Sequence, residues 1–229
     1  MKQTLITLLL LTAAAGASAQ QYDDEYKMEI GGGIGLVSYL GDFNDGLFSN
    51  SQPVGTVVLK RVLNPYMALA AQFSYGQLKG TSKGLTTYYP DVQQAVYDFS
   101  NAMFDLGVRY EYNFWPYGTG RDYRGAKRLT PFVFGGLGGT LVSTSGKSVV
   151  TVNAPIGVGV KYKMAKRLNL SVEWAMHFTN SDRLDGVADP YYIKSSGVFK
   201  NSDCYSMLQV SLTYSFLPKC VTCNNDIDD

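Results

Sequence analysis

The chain has 229 residues, which suits one domain, and its 20 basic and 19 acidic residues leave a net charge of +1. This balance gives no support to a nucleic-acid partner. The 17 tyrosines favour strands over helices.

The first 19 residues have the organisation of a signal peptide. Lys2 supplies a positive charge, residues 5–15 are apolar, and Ala-Ser-Ala at 17–19 forms a small-residue cleavage site. The apolar stretch is too short to span a membrane as a helix, and no later stretch is long and apolar enough to do so. We therefore expect a mature chain from Gln20 that is either an exported soluble domain or a β-barrel.

The mature sequence alternates apolar and polar residues with the period of two that is typical of strands. The alternation is clearest from Phe104 to Phe114 and from Leu168 to Thr179. Most of the segments reach the roughly 9–11 residues of a tilted membrane-spanning strand. We predict an all-β fold, an eight-stranded antiparallel up-and-down transmembrane β-barrel over residues 20–216 with a tail at 217–229. The predicted strands are 27–39, 54–61, 66–76, 102–114, 131–142, 152–164, 168–179 and 205–216.

The predicted connections alternate in length. The long ones are 40–53, 77–101, 143–151 and 180–204, whereas 62–65 and 165–167 are tight turns. The connection 115–130 is the exception, because it is both long and basic. Outer-membrane barrels have short periplasmic turns and longer extracellular loops, so this pattern predicts an outer-membrane location with both chain ends in the periplasm.

A soluble lipocalin-like barrel also alternates, but with its apolar face inward. Three features favour the membrane: a polar face that mixes small residues with charges of both signs, a last strand ending in alternating apolar residues and Phe216, and aromatic residues at strand ends. The aromatic residues expected in the interface girdles are Tyr39, Tyr66, Tyr75, Tyr112, Phe114, Trp115, Tyr117, Phe178, Tyr205, Tyr214 and Phe216.

Glycine runs at 31–35 and 135–139 invite comparison with phosphate-binding loops, but both lie inside predicted strands and no helical pattern follows. We interpret them as relief of crowding in a narrow barrel. The polar face carries charges that persist in a dry interior only when they are paired. The expected interior ion-pair network is Asp105, Arg109, Glu111, Lys161, Glu173 and His177, with Glu29 as a further candidate. A catalytic site around His177, the single histidine, is the alternative interpretation.

The chain has three cysteines, all near its C-terminal end. Cys220 and Cys223 lie in the tail with CxxC spacing, which fits a local disulfide, unpaired thiols or a contact with a partner. Cys204 is separated from them by a whole strand, too far for a disulfide. The acidic residues at 182–189 suit plain turn chemistry better than a cation site. We expect no cofactor and no metal site.

Several short motifs resemble the PorG-like outer-membrane barrels of the Bacteroidota type IX secretion system. They are Glu-Ile-Gly-Gly at 29–32, Tyr-Leu-Gly-Asp at 39–42, the segment 178–187, and Asp-Cys-Tyr at 203–205 with a cysteine after Phe216. The chain departs from the family pattern at Arg183, where an aromatic residue is usual, and at Gly186, where a second acid is usual.

The resemblance implies a non-enzymatic component of that secretion machinery, which links a periplasmic ring of PorK-like lipoprotein and PorN-like protein to the outer membrane. It brings no catalytic residues. The surfaces expected to face the ring are 115–130 and the tail, with Tyr117, Arg121, Arg124, Lys127, Arg128, Cys220 and Cys223 as candidate partner-binding residues. A surface adhesin that works through 77–101 and 180–204 and a lipid-modifying enzyme are the alternatives.

Overall fold

A computed structural model describes residues 26–40, 50–81, 98–118, 126–144, 147–180 and 204–218. Within them, eight antiparallel strands form a closed barrel in the order β1 to β8, which confirms the predicted fold. No helix in these ranges is long and apolar enough to cross a membrane. The strands are β1 (Tyr26–Leu40), β2 (Gln52–Asn64), β3 (Met67–Thr81), β4 (Asp98–Asn113), β5 (Leu129–Thr144), β6 (Lys147–Lys163), β7 (Leu168–Thr179) and β8 (Cys204–Pro218).

Most strands are longer than the alternation predicted. The expected loop 143–151 is wrong: Ser143 pairs with Ser148 and Thr144 with Lys147, so only residues 145–146 separate β5 from β6. The expected turn at 62–65 is also displaced, because β2 continues to Asn64 and the turn lies at residues 65–66. Polar residues at 143–144 and Asn-Pro at 64–65 resemble a loop or turn locally, whereas the backbones of Ser143, Thr144, Val62 and Asn64 continue the ladder with a neighbouring strand.

The two ends of the barrel differ. We call the end with Tyr26, Asn64, Asn113, Lys163 and Pro218 the turn end; the opposite end, where β1 stops and β8 begins, is the loop end. Tyr26 pairs with Pro218, so the first residue of β1 and the last residue of β8 both lie at the turn end. Cys204 lies at the loop end; Cys220 and Cys223 lie outside the described residues.

Most polar residues of the strands face inward, and the outward positions are mainly apolar, with Val54, Phe132 and Phe134 among the inward exceptions. On β4, Leu106 is 63% exposed, whereas Asp105 is 3% exposed and Glu111 is fully buried. The other strands divide in the same way, with Ile34, Leu137 and Val150 among the most exposed side chains. Since a soluble barrel would bury these apolar residues, the structure has the sidedness of a membrane-spanning barrel.

The interior is divided along the barrel axis. At the loop end it holds a buried apolar cluster that includes Tyr39, Leu78, Met103 and Tyr205. Tyr39 and Tyr205 were therefore wrongly assigned to the interface girdle: they occupy inward positions of β1 and β8, and both are fully buried. Outside the barrel, the remaining aromatics include Tyr66, Tyr75, Tyr112, Phe114, Trp115 and Tyr214, which are 40–54% exposed.

The glycine runs lie inside β1 and β5, where they permit close approach of the neighbouring strands. A Cβ atom at Gly31 would lie 2.0 Å from the carbonyl oxygen of Leu212, and one at Gly136 would lie 2.2 Å from that of Val108. Any side chain at these positions would push the strands apart. The glycines therefore serve the packing of a narrow barrel.

The outward position of Leu137, at the middle of β5, predicts how the fold responds to charge. We expect Leu137→Lys to lower the free energy of unfolding in phospholipid vesicles by about 2–4 kcal/mol, because the ammonium group would lie in hydrocarbon. Leu129→Lys, at the end of the same strand, should cost only about 0–1 kcal/mol. Urea titration of the vesicle-folded protein measures both. Equal costs would contradict the membrane-spanning assignment of this face.

Candidate functional site

The turn-end half of the interior is organised around Glu111. Its carboxylate contacts Lys60 at 3.1 Å, Arg109 at 3.0 Å and Lys161 at 2.6 Å. The three cations come from β2, β4 and β6, so a single carboxylate joins strands on different sides of the barrel. Glu111 is completely buried. A carboxylate in such a place is stable only with this degree of pairing.

Arg109 extends the network to Glu173 on β7. Its two terminal nitrogens each donate to one carboxylate oxygen of Glu173 at 2.7 Å, a bidentate arrangement that suits the planar guanidinium. Gln209 on β8 also donates to Glu173. The network thus ties β4 to β7 and β8 through the barrel interior.

Two phenylalanines on β5 complete the packing of these cations. Lys161 lies 4.2 Å from the ring centroid of Phe132, and Arg109 lies 4.3 Å from that of Phe134. The rings fit because two glycines on β6 have no side chain: a Cβ at Gly157 would clash with Phe134, and one at Gly159 would lie 2.7 Å from Phe132. Both cations therefore have aromatic faces as well as carboxylates around them, which stabilises a charge in a dry interior.

Asp105 and His177 lie nearer the loop end and form a different cluster. Asp105 accepts hydrogen bonds from the hydroxyl of Tyr205 at 2.8 Å, from the hydroxyl of Thr140 at 3.1 Å and from the side-chain amide of Asn153. His177 stacks on Tyr205 with ring centroids 4.4 Å apart, and its Nδ1 has no hydrogen-bond partner among the described residues. Of the six residues predicted for one ion-pair network, four form ion pairs with one another, Asp105 accepts hydrogen bonds from neutral donors, and His177 packs against Tyr205.

Neither cluster has the geometry of a catalytic centre. His177 is 4% exposed and faces the interior, where a lipid acyl chain outside the barrel cannot reach it. In the described part of the chain, no group of three or more His, Cys, Asp and Glu side chains could hold a metal ion. What these residues do is fill the barrel and satisfy one another's charges and hydrogen bonds.

At the turn end, the chain after β4 folds across the mouth of the barrel. The backbone N–H of Tyr117 donates to the carbonyl oxygen of Pro65 at 3.0 Å, and its hydroxyl donates to Asn169 on β7 at 3.1 Å. Lys163 donates to the same Asn169 oxygen and lies 5.5 Å from the Tyr117 ring centroid. Burial, with a contribution from the charge of Glu29, raises the pKa of Tyr117 above its ordinary value, so the hydroxyl remains a donor.

The space left beside Tyr117 is small. A cavity of about 20 Å³ lies among Glu29, Lys60, Asn113, Tyr117 and Lys161. This is room for a single water molecule. Tyr117 thus acts within the chain as a plug of the mouth.

The exposed part of this connection presents basic side chains. Lys127 lies 4.4 Å from the ring centroid of Trp115, and Lys127 and Arg128 are both exposed. The backbone of Lys127 pairs with Pro116 and Gly118. Among the candidate partner-binding residues, Lys127 and Arg128 therefore lie on a surface that a partner could contact. Arg121, Arg124, Cys220 and Cys223 lie outside the described residues.

Sequence reasoning missed Lys60, Asn153 and Tyr205 as members of the interior clusters. Lys60 follows Val54, Thr56 and Val58 on one face of β2, and this spacing places it inside. The alternation on β2 does not show clearly which face is inside, because both faces carry valines. Glu29, the further candidate, is 8% exposed and accepts a hydrogen bond from Thr213 at 3.0 Å.

The position of Glu111 predicts a large effect of removing its charge. We expect Glu111→Gln to lower the free energy of unfolding by about 3–5 kcal/mol, because three buried cations would lose their shared anion. Glu29→Gln is the matched control and should cost about 1 kcal/mol or less, since glutamine keeps an acceptor for Thr213. Urea titration measures both variants. Similar losses at the two positions would show that the Glu111 contacts contribute little.

Comparison with known proteins agrees with the fold. Neisserial surface protein A (NspA) is 11% identical with a TM-score of 0.53, over 82% of this chain and 97% of that chain. The N-terminal β-barrel domain of Pseudomonas aeruginosa OprF is 14% identical with a TM-score of 0.42, over 83% and 98%. The attachment invasion locus protein Ail of Yersinia pestis, solved with a heparin analogue, is 8% identical with a TM-score of 0.44, over 85% and 100%.

The likeness to NspA shows the eight-stranded outer-membrane barrel fold, and at this identity it shows the fold alone. No curated protein matches the chain. One family matches nearly the whole sequence, over residues 2–225, and it is described as a domain of unknown function. The chain therefore belongs to the DUF6089 family and has the fold of an outer-membrane β-barrel.

Proposed function

We propose that this protein is a non-enzymatic outer-membrane barrel of the type IX secretion machinery, which anchors a periplasmic ring to the membrane through its turn end. The observation that carries the proposal is the contrast between a filled interior and an exposed basic surface at one end. Among the described residues, Glu111 and Asp105 are engaged in buried ion pairs and hydrogen bonds that fill the interior. This favours a function that is carried out at one end of the barrel.

The turn end is favoured over the loop end because it combines both termini of the barrel with the basic connection 114–128. Contacts with Pro65 and Asn169 hold Tyr117 against the barrel, and the backbone of Lys127 is hydrogen-bonded to Pro116 and Gly118. Lys127 and Arg128 are therefore displayed on a fixed backbone. A preorganised basic surface suits an acidic protein partner, since little conformational entropy is lost on binding.

The identity of the machine comes from the resemblance of residues 29–32, 39–42 and 178–187 to PorG-like barrels. A PorK-like lipoprotein and a PorN-like protein are the partners that this resemblance implies. The direct test is to purify the tagged full chain from crosslinked outer membranes and to map the crosslinked peptides by mass spectrometry. Ring proteins crosslinked near 115–130 or 217–229 would support the proposal. Recovery of the barrel without crosslinked ring proteins would contradict it.

Charge reversal separates the turn end from the loop end. In a strain that carries only the altered full chain, we expect Lys127→Glu with Arg128→Glu to reduce the crosslinked ring about tenfold or more, because like charges across an interface are unfavourable. Secretion of cargo into the medium should fall with it. Lys147→Glu, at the start of β6 on the loop end, is the matched control and should change neither quantity.

Two other experimental outcomes would support one of the alternative functions instead. If Lys147→Glu or shortening of the connections 82–97 and 181–203 abolished a surface attachment function while secretion persisted, the adhesin interpretation would replace this one. Loss of a lipid-modifying activity in His177→Phe, with the barrel folded and the ring recovered, would favour the enzyme.

A further inference from the structure

Arg167 lies in the turn between β6 and β7, on the outside of the barrel at the turn end. Its Nε donates to the hydroxyl of Tyr26 at 2.8 Å, and one terminal nitrogen donates to that of Tyr214 at 2.9 Å. Its guanidinium carbon is 5.0 Å from the ring centroid of Tyr26 and 6.0 Å from that of Tyr214. The side chain is exposed, yet these two tyrosines from β1 and β8 hold it in one place.

The backbone of this turn is also held. The N–H of Ser215 donates to the carbonyl oxygen of Arg167 at 2.7 Å, which fixes the turn against β8. An exposed arginine ordinarily samples many rotamers, and ordering it costs free energy. Here that cost is met within the fold, so the guanidinium is preorganised for a ligand.

The donors of this cluster point to an anionic ligand. The two bonds to tyrosine use two of the five N–H donors of the guanidinium. Each tyrosine oxygen accepts from Arg167, so its own O–H is directed to another acceptor. The cluster thus presents a positive charge together with N–H and O–H donors. A phosphate group, with several charged oxygens, is the complementary shape and charge.

The outer surface next to the cluster is apolar. Tyr214 pairs directly with Ile30 on β1 and Leu168 on β7, and Leu212 follows on the same face of β8. Ile30 is 49% exposed and Leu212 is 44% exposed. A column of lipid-facing side chains therefore ends at a cationic cluster. Lys127 over Trp115 lies at the same end on another side of the barrel, as expected at a headgroup boundary.

We propose that Arg167, Tyr26 and Tyr214 bind the phosphate of one phospholipid headgroup, with an acyl chain along Ile30 and Leu212. The apolar column favours a phospholipid over free phosphate, because free phosphate would use the cluster alone. This site rests on the barrel fold and is independent of any secretion role.

Native mass spectrometry of the full chain, folded in detergent micelles with added phosphatidylglycerol, tests the proposal. We expect one retained phosphatidylglycerol per chain. The retained fraction should fall about tenfold in Arg167→Gln and in the double variant Tyr26→Phe with Tyr214→Phe, since charge-assisted hydrogen bonds are lost in both. The phenylalanine variant keeps both rings, so it tests the two hydroxyls, which both position Arg167 and donate to the ligand. The heat-dependent shift in gel mobility checks that each variant is folded.

Three controls define the site. Arg61→Gln removes a second exposed, outward-facing arginine, which pairs with Met28 at the same end, and should leave retention unchanged. A diacylglycerol with the same acyl chains should not be retained, and equimolar inorganic phosphate should not compete. Wild-type retention in the Arg167 or tyrosine variants would overturn the proposal. Equal loss in Arg61→Gln, retention of diacylglycerol or competition by inorganic phosphate would each overturn it as well.

Discussion

The pairing of β1 with β8 closes the sheet, and the rest of the structure depends on this closure. The ladder runs from Tyr26–Pro218 to Leu40–Cys204, so neither strand has a free edge along this length. In hydrocarbon, a free edge would leave backbone N–H and C=O groups without partners at a cost of several kcal/mol each. Gly31 contributes directly, because its missing side chain lets β1 approach β8 closely. Closure also creates a narrow interior and thereby decides what each inward residue must do.

In a narrow, dry interior, each buried charged group must be paired or hydrogen-bonded. Glu111, Arg109 and Glu173 come from two strands that are not neighbours in the sheet, and their contacts cross the barrel. The charges that suggest reactivity in the sequence are therefore structural: Arg109 pairs with Glu111 and Glu173. Asp105 instead accepts hydrogen bonds from Tyr205, Thr140 and Asn153. His177 illustrates the same point: stacked on Tyr205 and buried, it packs the barrel. The outer wall faces the membrane and the interior is filled. Contacts with other proteins are therefore expected at the ends of the barrel.

The turn end has two surfaces with different chemistry. Tyr117 plugs the mouth, and Lys127 and Arg128 are exposed at the same end. Arg167, with Tyr26 and Tyr214, lies on the outer wall where the apolar surface ends. The first suits a protein and the second a lipid headgroup. Both depend on short, hydrogen-bonded segments at the ends of strands, because only there can polar side chains lie outside the barrel without entering hydrocarbon.

By itself, the sequence determined the eight strands, their up-and-down order and the set of residues on each face, because alternation is a local property of a single strand. It also placed Glu111, Arg109, Glu173 and Lys161 on a common polar face. Only the tertiary structure decided that Lys60 joins Glu111, that Tyr39 and Tyr205 belong to the interior, and that Ser143, Thr144, Lys147 and Ser148 continue the ladder. These features follow from closure and register, which bring together residues far apart in the chain, and no local pattern encodes the partner of a residue across the barrel.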